Sequence, residues 1–294
     1  MTMPVDFRFS QSNLQDYVDC PRRFELRHLQ HIAWPAVEVE PLLEHERHRK
    51  LGEFFHRLVQ QHLLGVPVER LSRMAAGLRL GGPELESWWQ NYLKSAITTG
   101  ASRSPGKYYP EISLVGSIGG ANLTAKYDVV LVNEGSEGTS CTILDWKTTH
   151  RRTQRSWLSS RLQTRVYLYL MTAAGECLNG GISFAPGQVE MIYWFAGFPN
   201  ESICFNYFEG QFEEDRRFLA NLIKDIQAAG NGDFQACTDP QNCLFCVYRS
   251  FCERGVKPGM YWDETDGEGF PQHVDALEEC NDKLDFEQIA EIEF

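Results

Sequence analysis

Two acids and a lysine stand at the edges of short apolar runs. The stretch Cys141-Thr142-Ile143-Leu144-Asp145-Trp146-Lys147-Thr148 reads as a buried strand, over about 141–147. Side chains on a strand alternate faces with a period of two, so Asp145 and Lys147 point one way and Trp146 the other. A second strand, about 122–132, carries Asp128, and the composition Asn133-Glu134-Gly135-Ser136-Glu137-Gly138 joins the two strands as a turn. A hairpin of this kind brings Asp128 beside Asp145. Carboxylates are the hard oxygen ligands that Mg²⁺ and Mn²⁺ prefer. A bound ion lowers the pKa of a water and clamps phosphate oxygens, and a lysine beside it orients that water or stabilises charge developing on phosphorus. The three residues are minimal equipment for metal-assisted phosphodiester cleavage.

A second chemistry is carried by sulfur. Cysteines occur at 20, 141, 177, 204, 237, 243, 246, 252 and 280, an odd count that points away from a disulfide framework. Cys243, Cys246 and Cys252 form C-x₂-C-x₅-C. Three thiolates so close suit a metal centre that needs a fourth ligand, either Cys237 nearby or Cys20 far upstream. Soft thiolates select Zn²⁺ or an iron–sulfur centre. Zinc sites usually pair two C-x₂-C units and the second is missing here, which favours iron–sulfur.

The elements that must position these groups follow from periodicity. Ser10 to Cys20 opens with good N-cap residues and reads as a helix, with Leu14, Tyr17 and Val18 at helical spacing. Residues 42–65 read as a longer helix with an apolar stripe of Leu51, Phe55, Leu58, Val59 and Leu63, and His56 lies beside that stripe, four residues after Gly52. Residues 84–97 suggest another helix, 98–110 a loop and 111–118 a further strand, on which Glu111 is an additional acid. After Lys147 the chain turns basic: His150, Arg151, Arg152, Arg155, Arg161 and Arg165 leave the strand as a candidate track for phosphates. Residues 156–171 read as one helix that sets Gln163 and Tyr167 on a shared face. Two strands at about 188–196 and 201–208 and a helix over 211–229 complete the body.

Composition sets the outer bounds. Hydrophobic residues make up 43% of the 294, which supports a folded core and argues against global disorder. No run approaches a membrane span of about 18 apolar residues, so no membrane partner is expected. The first residues lack a basic region followed by an apolar one, which makes the cytoplasm the expected compartment. The net charge of −12 is concentrated: residues 261–294 hold twelve of the forty acids and one of the twenty-eight bases, Lys283. An acidic tail therefore follows a nearly neutral body, which leaves a nucleic-acid partner open. No phosphate-binding Gly-rich Lys-Ser/Thr loop is present, so the chain has no ATP motor of its own.

Taken in order, the motifs resemble the PD-(D/E)XK nuclease superfamily, and within it the RecB-type branch with an iron–sulfur staple, similar to the AddB nuclease domain and CRISPR-associated exonucleases. The resemblance covers about residues 8–255. It runs through Ser10-x-Ser12-x-Leu14-x-x-Tyr17-x-x-Cys20-Pro21-x-x-Phe24, Gly52-x-x-x-His56, Lys126-Tyr127-Asp128, Ile143-Leu144-Asp145-Trp146-Lys147-Thr148, Gln163-x-x-x-Tyr167 and C-x₂-C-x₅-C. It departs from many relatives in Ala125, where they have Gly, and in Asp145, where they have Glu.

The resemblance implies an α/β fold with a restriction-endonuclease-like core: a central mixed sheet flanked by helices. It implies a nuclease domain over 1–260, with a helical insertion at about 40–100 and an iron–sulfur segment at about 237–255 joined to Cys20. His56, Asp128, Asp145 and the Trp146 carbonyl would ligate Mg²⁺ or Mn²⁺. Lys147 would assist the attacking water, and Gln163 and Tyr167 would position DNA or the lysine. Cys20, Cys243, Cys246 and Cys252 would hold a [4Fe–4S] cluster, with Cys237 to spare. The expected activity is exonucleolytic cleavage of DNA, single-stranded or with free ends, in repair, recombination or CRISPR-associated processing. A separate helicase or a CRISPR integrase is the implied partner. The rival readings are a catalytically silent DNA-binding scaffold of the same fold and a zinc-stapled nuclease.

Overall fold

A computed structural model describes residues 3–4, 6–32, 40–77, 82–95, 106–135, 138–149, 153–229, 234–243 and 246–255. The acidic tail, His150, Arg151 and Arg152 lie outside the described residues. Within the span 1–260 read as one domain, the chain divides into two compact units. The larger holds Asp6–Gln11 and Glu46–Lys224; the smaller holds Met1–Val5, Ser12–His45 and the chain from Asp225 onward.

The larger unit is built on a six-stranded sheet. Its strands are β1 (Arg8–Phe9), β2 (Lys107–Ile118), β3 (Ala121–Gly135), β4 (Gly138–Lys147), β5 (Val189–Phe195) and β6 (Ile203–Asn206). The order is β1-β3-β4-β5-β6, with β2 on β3. β1–β3 and β4–β5 are parallel, and β2–β3, β3–β4 and β5–β6 are antiparallel, so the expected mixed sheet is present. Gly119 and Gly120 make the two-residue turn between β2 and β3, at φ +58° and +81°, a pair of left-handed conformations that glycine reaches without strain. That turn fixes the register of β2 on β3, Ile118 opposite Ala121 and Lys107 opposite Val132. β2 starts earlier than expected and includes Pro110, which is tolerated because β2 pairs on one side only.

The helices of the chain are α1 (Gln11–Asp19), α2 (Pro21–Phe24), α3 (Glu40–Leu63), α4 (Val68–Gly77), α5 (Gly82–Lys94), α6 (Arg155–Ser160), α7 (Leu162–Ala174) and α8 (Glu209–Ala229). α3, α4 and α5 bury an aromatic core against the sheet, in which Phe55, Trp88, Trp89 and Tyr92 meet Trp146 and Trp194. Truncating one such side chain to Ala costs about 3–5 kcal/mol. α7 packs close to β2 because Gly116 has no side chain there; a Cβ would sit 2.7 Å from Leu170 Cδ1. α4 was not visible in the periodicity. The single helix expected over 156–171 is two, broken by extended backbone at Arg161, φ −76° and ψ 141°. Ser159 and Ser160 donate their hydroxyls back to Ser156 O and Trp157 O, the local competition by which serines weaken a helix. Among the described residues, no helix is long and apolar enough to cross a membrane.

The smaller unit joins segments more than two hundred residues apart. α1 and α2 run into a π-helical turn, Glu25–Leu29. The returning chain accepts and donates along it: Arg22 N donates to Gln235 O at 3.1 Å, Asn242 Nδ2 to Asp19 O at 2.9 Å and Tyr248 Oη to Ile32 O at 3.1 Å. Phe234 packs against the rings of Tyr17 and Phe24. Asp16 is buried beneath these contacts and is held by Arg23 Nε at 2.8 Å, His28 Nε2 at 2.8 Å and Arg27 Nη1 at 3.2 Å.

Candidate active site and cysteine site

β4 delivers Asp145 and Lys147 as the alternation requires. Trp146 faces away, its ring 5.7 Å from that of Tyr92 and 5.6 Å from that of Trp194. Asp145 and Lys147 both meet Gln163 in the first turn of α7. Lys147 Nζ donates to Gln163 Oε1 at 3.1 Å, Gln163 Nε2 donates to Asp145 Oδ1 at 2.8 Å, and Lys147 Nζ lies 3.2 Å from Asp145 Oδ2. The triangle is closed and buried; the two charged side chains are 8% and 4% exposed. Tyr193 supports it from β5, its ring 5.6 Å from Lys147 Nζ and its hydroxyl hydrogen-bonded to Thr164 Oγ1 at 2.7 Å.

Asp128 sits one step beyond the paired Val129 and Leu144, opposite Asp145. Trp146 N donates to Asp128 Oδ2 at 2.9 Å, and His56 Nδ1 lies 3.2 Å from Asp128 Oδ1. Burial alone would raise the Asp128 pKa. The charge and hydrogen bond of His56, the Trp146 amide and the Lys147 charge outweigh it, so the carboxyl sits below the usual carboxylate range. His56 reaches this point because α3 runs against the exit from β4: a Cβ on Gly52 would stand 2.9 Å from Thr148 Oγ1. Glycine permits that approach and His56 follows one turn later.

Glu111 completes a group that sequence reasoning kept only as an additional acid. Ligand atoms of His56, Glu111 and Asp128 all lie within 4.8 Å of one another. Glu111 falls between the pairs Pro110–Val129 and Ile112–Tyr127, and so opposite Asp128. Counting outward from Gly119-Gly120 would have placed it there.

Tyr167 is a strut between α7 and β3. It is buried; its hydroxyl donates to Lys126 O at 2.6 Å and its carbonyl accepts from Tyr127 Oη at 3.1 Å. The described arginines of the expected phosphate track are engaged within the protein. Arg155 donates to Cys204 O at 2.5 Å and stacks over Phe205. Arg161 is buried over Trp157. Arg165 donates to Asp215 Oδ1 at 2.8 Å, lies 3.4 Å from Glu214 and covers Phe218. Burial pushes Asp215 up to about 6 despite that pairing. Arg155 also lines a cleft of about 690 Å³ with Gln154, Phe195, Phe198, Asn200 and Ile203. One of its lining residues, Phe195, is the β5 partner of Lys147.

The cysteine site lies in the smaller unit. Cys20, at the end of α1, and Cys243 are buried, and Cys246 and Cys252 are partly so. Cys237 belongs with them: its Sγ is 3.4 Å from Cys243 Sγ, and it also hydrogen-bonds Cys20. Arg254 Nη1 donates to Cys243 Sγ at 2.8 Å. Burial raises the Cys252 thiol and pushes Cys246 up to about 11, so a metal must displace protons to bind.

The residues that hold these two sites fall within one known pattern. A family profile described as the PD-(D/E)XK nuclease superfamily matches residues 8–253. No curated protein matches the chain. Two solved structures are similar. One, from Eubacterium rectale, is named as an exonuclease; it is 13% identical, with a TM-score of 0.47, covering 90% of this chain and 94% of its own. The other, SSO0001, is 14% identical, with a TM-score of 0.40, covering 86% and 88%. Nucleases of the matched superfamily use divalent metals, and a His–carboxylate triad able to serve one is present here. With the mixed sheet flanked by helices, Asp128 in the middle of β3 and Asp145 and Lys147 at the end of β4, the chain belongs to the PD-(D/E)XK nuclease superfamily.

Proposed function

We propose that this chain is a divalent-metal-dependent DNA nuclease that acts on single strands from an end. The observation that carries the reading is the buried triangle of Asp145, Gln163 and Lys147 beside Asp128. Asp128, Asp145, His56 and the Trp146 carbonyl would hold Mg²⁺ or Mn²⁺, and their oxygen and imidazole donors suit such an ion. When bound, the ion lowers the pKa of a water and neutralises phosphate oxygens. Gln163 fixes the Lys147 ammonium, so that the lysine meets the attacking water without searching for it. Lys147 orients that water and stabilises charge on the phosphoryl group. The single-strand preference is supported by the cleft that Phe195, the strand partner of Lys147, helps to line, where Phe198, Gln154 and Asn200 offer a ring and amides to an unpaired nucleotide.

In the smaller unit, Cys20, Cys243, Cys246 and Cys252 hold a [4Fe–4S] cluster that ties α1 to the returning chain, with Cys237 beside it. Support comes from the gathering of thiols from two distant segments and from their chemistry. The deciding experiment is cleavage of 5′- and 3′-labelled single-stranded and duplex DNA with Mn²⁺, on anaerobically purified wild type beside Asp145→Ala. Shortening from one end by wild type alone is expected. No cleavage from folded protein that absorbs near ~400 nm would leave a DNA-binding scaffold instead.

A further inference from the structure

We infer that Cys237 and Cys243 form a reversible oxidation site: when the cluster is lost, peroxide closes the two sulfurs into a disulfide that thiols reopen. This rests on the cluster reading for the other four cysteines. A cluster of that kind takes four thiolates, and five cysteines gather here. The surroundings of the fifth, Cys237, pair it with one partner. Its Sγ is 3.4 Å from Cys243 Sγ, a short approach from the bond length of about 2.05 Å. Five residues separate the two, and both lie on the returning chain, so the bond closes without moving α1. Cys20 also hydrogen-bonds Cys237, but it belongs to a segment more than two hundred residues away.

One side chain holds the pair together. Arg254 Nη1 donates to Cys243 Sγ at 2.8 Å, and Nη2 donates to Cys237 O at 2.8 Å. Arg254 is fixed in turn, because its carbonyl accepts from Nε and Nη2 of the buried Arg249 at 3.1 and 2.9 Å. Cys243 is buried, whereas Cys237 is half-buried between exposed neighbours, Ala236 and Thr238, which opens the pair to a molecule the size of peroxide. The sulfur of one thiol attacks a peroxide oxygen, the O–O bond breaks and a water leaves, giving a sulfenic acid. The second thiol attacks that sulfur, the S–S bond forms, and the hydroxyl leaves with the remaining proton as a second water. Two electrons pass from the two sulfurs to one peroxide. The disulfide holds both sulfurs at a level that thiols reverse. A Cys243 without this partner goes on to sulfinic acid, which thiols do not reverse. Cys237 thereby preserves a cluster ligand through the loss of the cluster.

The test treats the full chain, purified anaerobically, with hydrogen peroxide. Iron release is followed by absorbance, and cysteine states are read by peptide mass spectrometry before and after dithiothreitol. In wild type a peptide pair joining Cys237 to Cys243 should appear as iron leaves and vanish with dithiothreitol, after which the chain reloads its iron. Cys237→Ser should load iron as wild type does and show the same circular dichroism. After the same treatment it should carry sulfinic acid on Cys243 and lose most of its capacity to reload. Iron loss without the Cys237–Cys243 link, or Cys237 joined to Cys20 instead, overturns the inference. So does a Cys237→Ser chain that holds less iron from the start, since Cys237 would then be a ligand. A chain that carries no iron yet forms the link would sink the cluster reading and leave this one standing. An iron-loaded chain that bleaches without forming the link would do the reverse.

Discussion

The acid centre and the cysteine site place their ligands by opposite means. In the larger unit each donor is aimed by the protein before any ion arrives: Asp145 by the Gln163 amide, Asp128 by the Trp146 N–H, and Lys147 by Gln163 and the Tyr193 ring. The carriers are two neighbouring sheet strands and a buried helix. In the smaller unit Cys20 sits at the end of α1, Cys243 and Cys252 end the short helical turns Pro240–Cys243 and Arg249–Cys252, and Cys237 and Cys246 lie on irregular chain. They hold one another and Arg254, and their burial favours the protonated form. The first site is a framework that accepts an ion. The second, on the proposed reading, is a set of groups that a bound cluster would organise. The contrast predicts that loss of a ligand damages chemistry in one unit and structure in the other.

The largest effect should come from Lys147→Ala, which removes the ammonium and leaves Gln163 and Asp145 in place. Cleavage is expected to fall by about 10²–10³-fold or more, with little change in far-ultraviolet circular dichroism. Gln163→Ala, which only frees the lysine and the acid, should cost about 10–100-fold, as supporting groups of a metal site do. Full activity in Lys147→Ala would break the comparison at its catalytic side. On the other side, Cys243→Ser should release iron and open residues 12–32 to protease, while Mn²⁺ still binds at the acid centre. Unchanged iron content would show that Cys237 replaces it, and intact protease resistance would show a framework there too.

A smaller effect follows from Asp16. Burial raises its pKa, and the His28 hydrogen bond with the Arg23 and Arg27 charges lowers it further, to about 2 from an ordinary 3.8. A carboxyl depressed in the folded state contributes stability that is full above its unfolded pKa and is lost as pH falls towards the folded one. The smaller unit should therefore lose about 2 kcal/mol between about pH 4 and pH 2. Hydrogen exchange across residues 12–29 reads this, and Asp16→Asn should flatten the dependence. An unchanged slope in Asp16→Asn would assign the acid sensitivity elsewhere.

What the sequence made legible was local. Period-two alternation placed Asp145 and Lys147 together and Trp146 apart, and the polar turn after β3 set Asp128 against Asp145. The mixed sheet and flanking helices followed from such runs. What was not legible depends on distant partners. Arg165 and Asp215 meet only when α7 and α8 pack, and nothing near Arg165 announces it. Cys237 read as a spare by spacing, yet it touches Cys243 and Cys20 because the chain folds back through Arg254. The break at Arg161 hinged on serine back-bonding that periodicity does not weigh. Glu111 is within reach of simple counting from the glycine turn, yet it stands only as an additional acid when its strand is read as beginning there.

The hydrogen atom on Gly52 has a mechanical consequence. It stands where a Cβ would come within 2.9 Å of Oγ1 of Thr148, the first residue after β4. α3 is rigid over one turn, so His56 is carried by whatever moves the chain beyond Lys147. Any displacement of the chain at Thr148, itself buried, is therefore passed to the imidazole, and a fixed imidazole resists it. The position of His56 and the loading of the exit are one lever, with Gly52 as its point of contact.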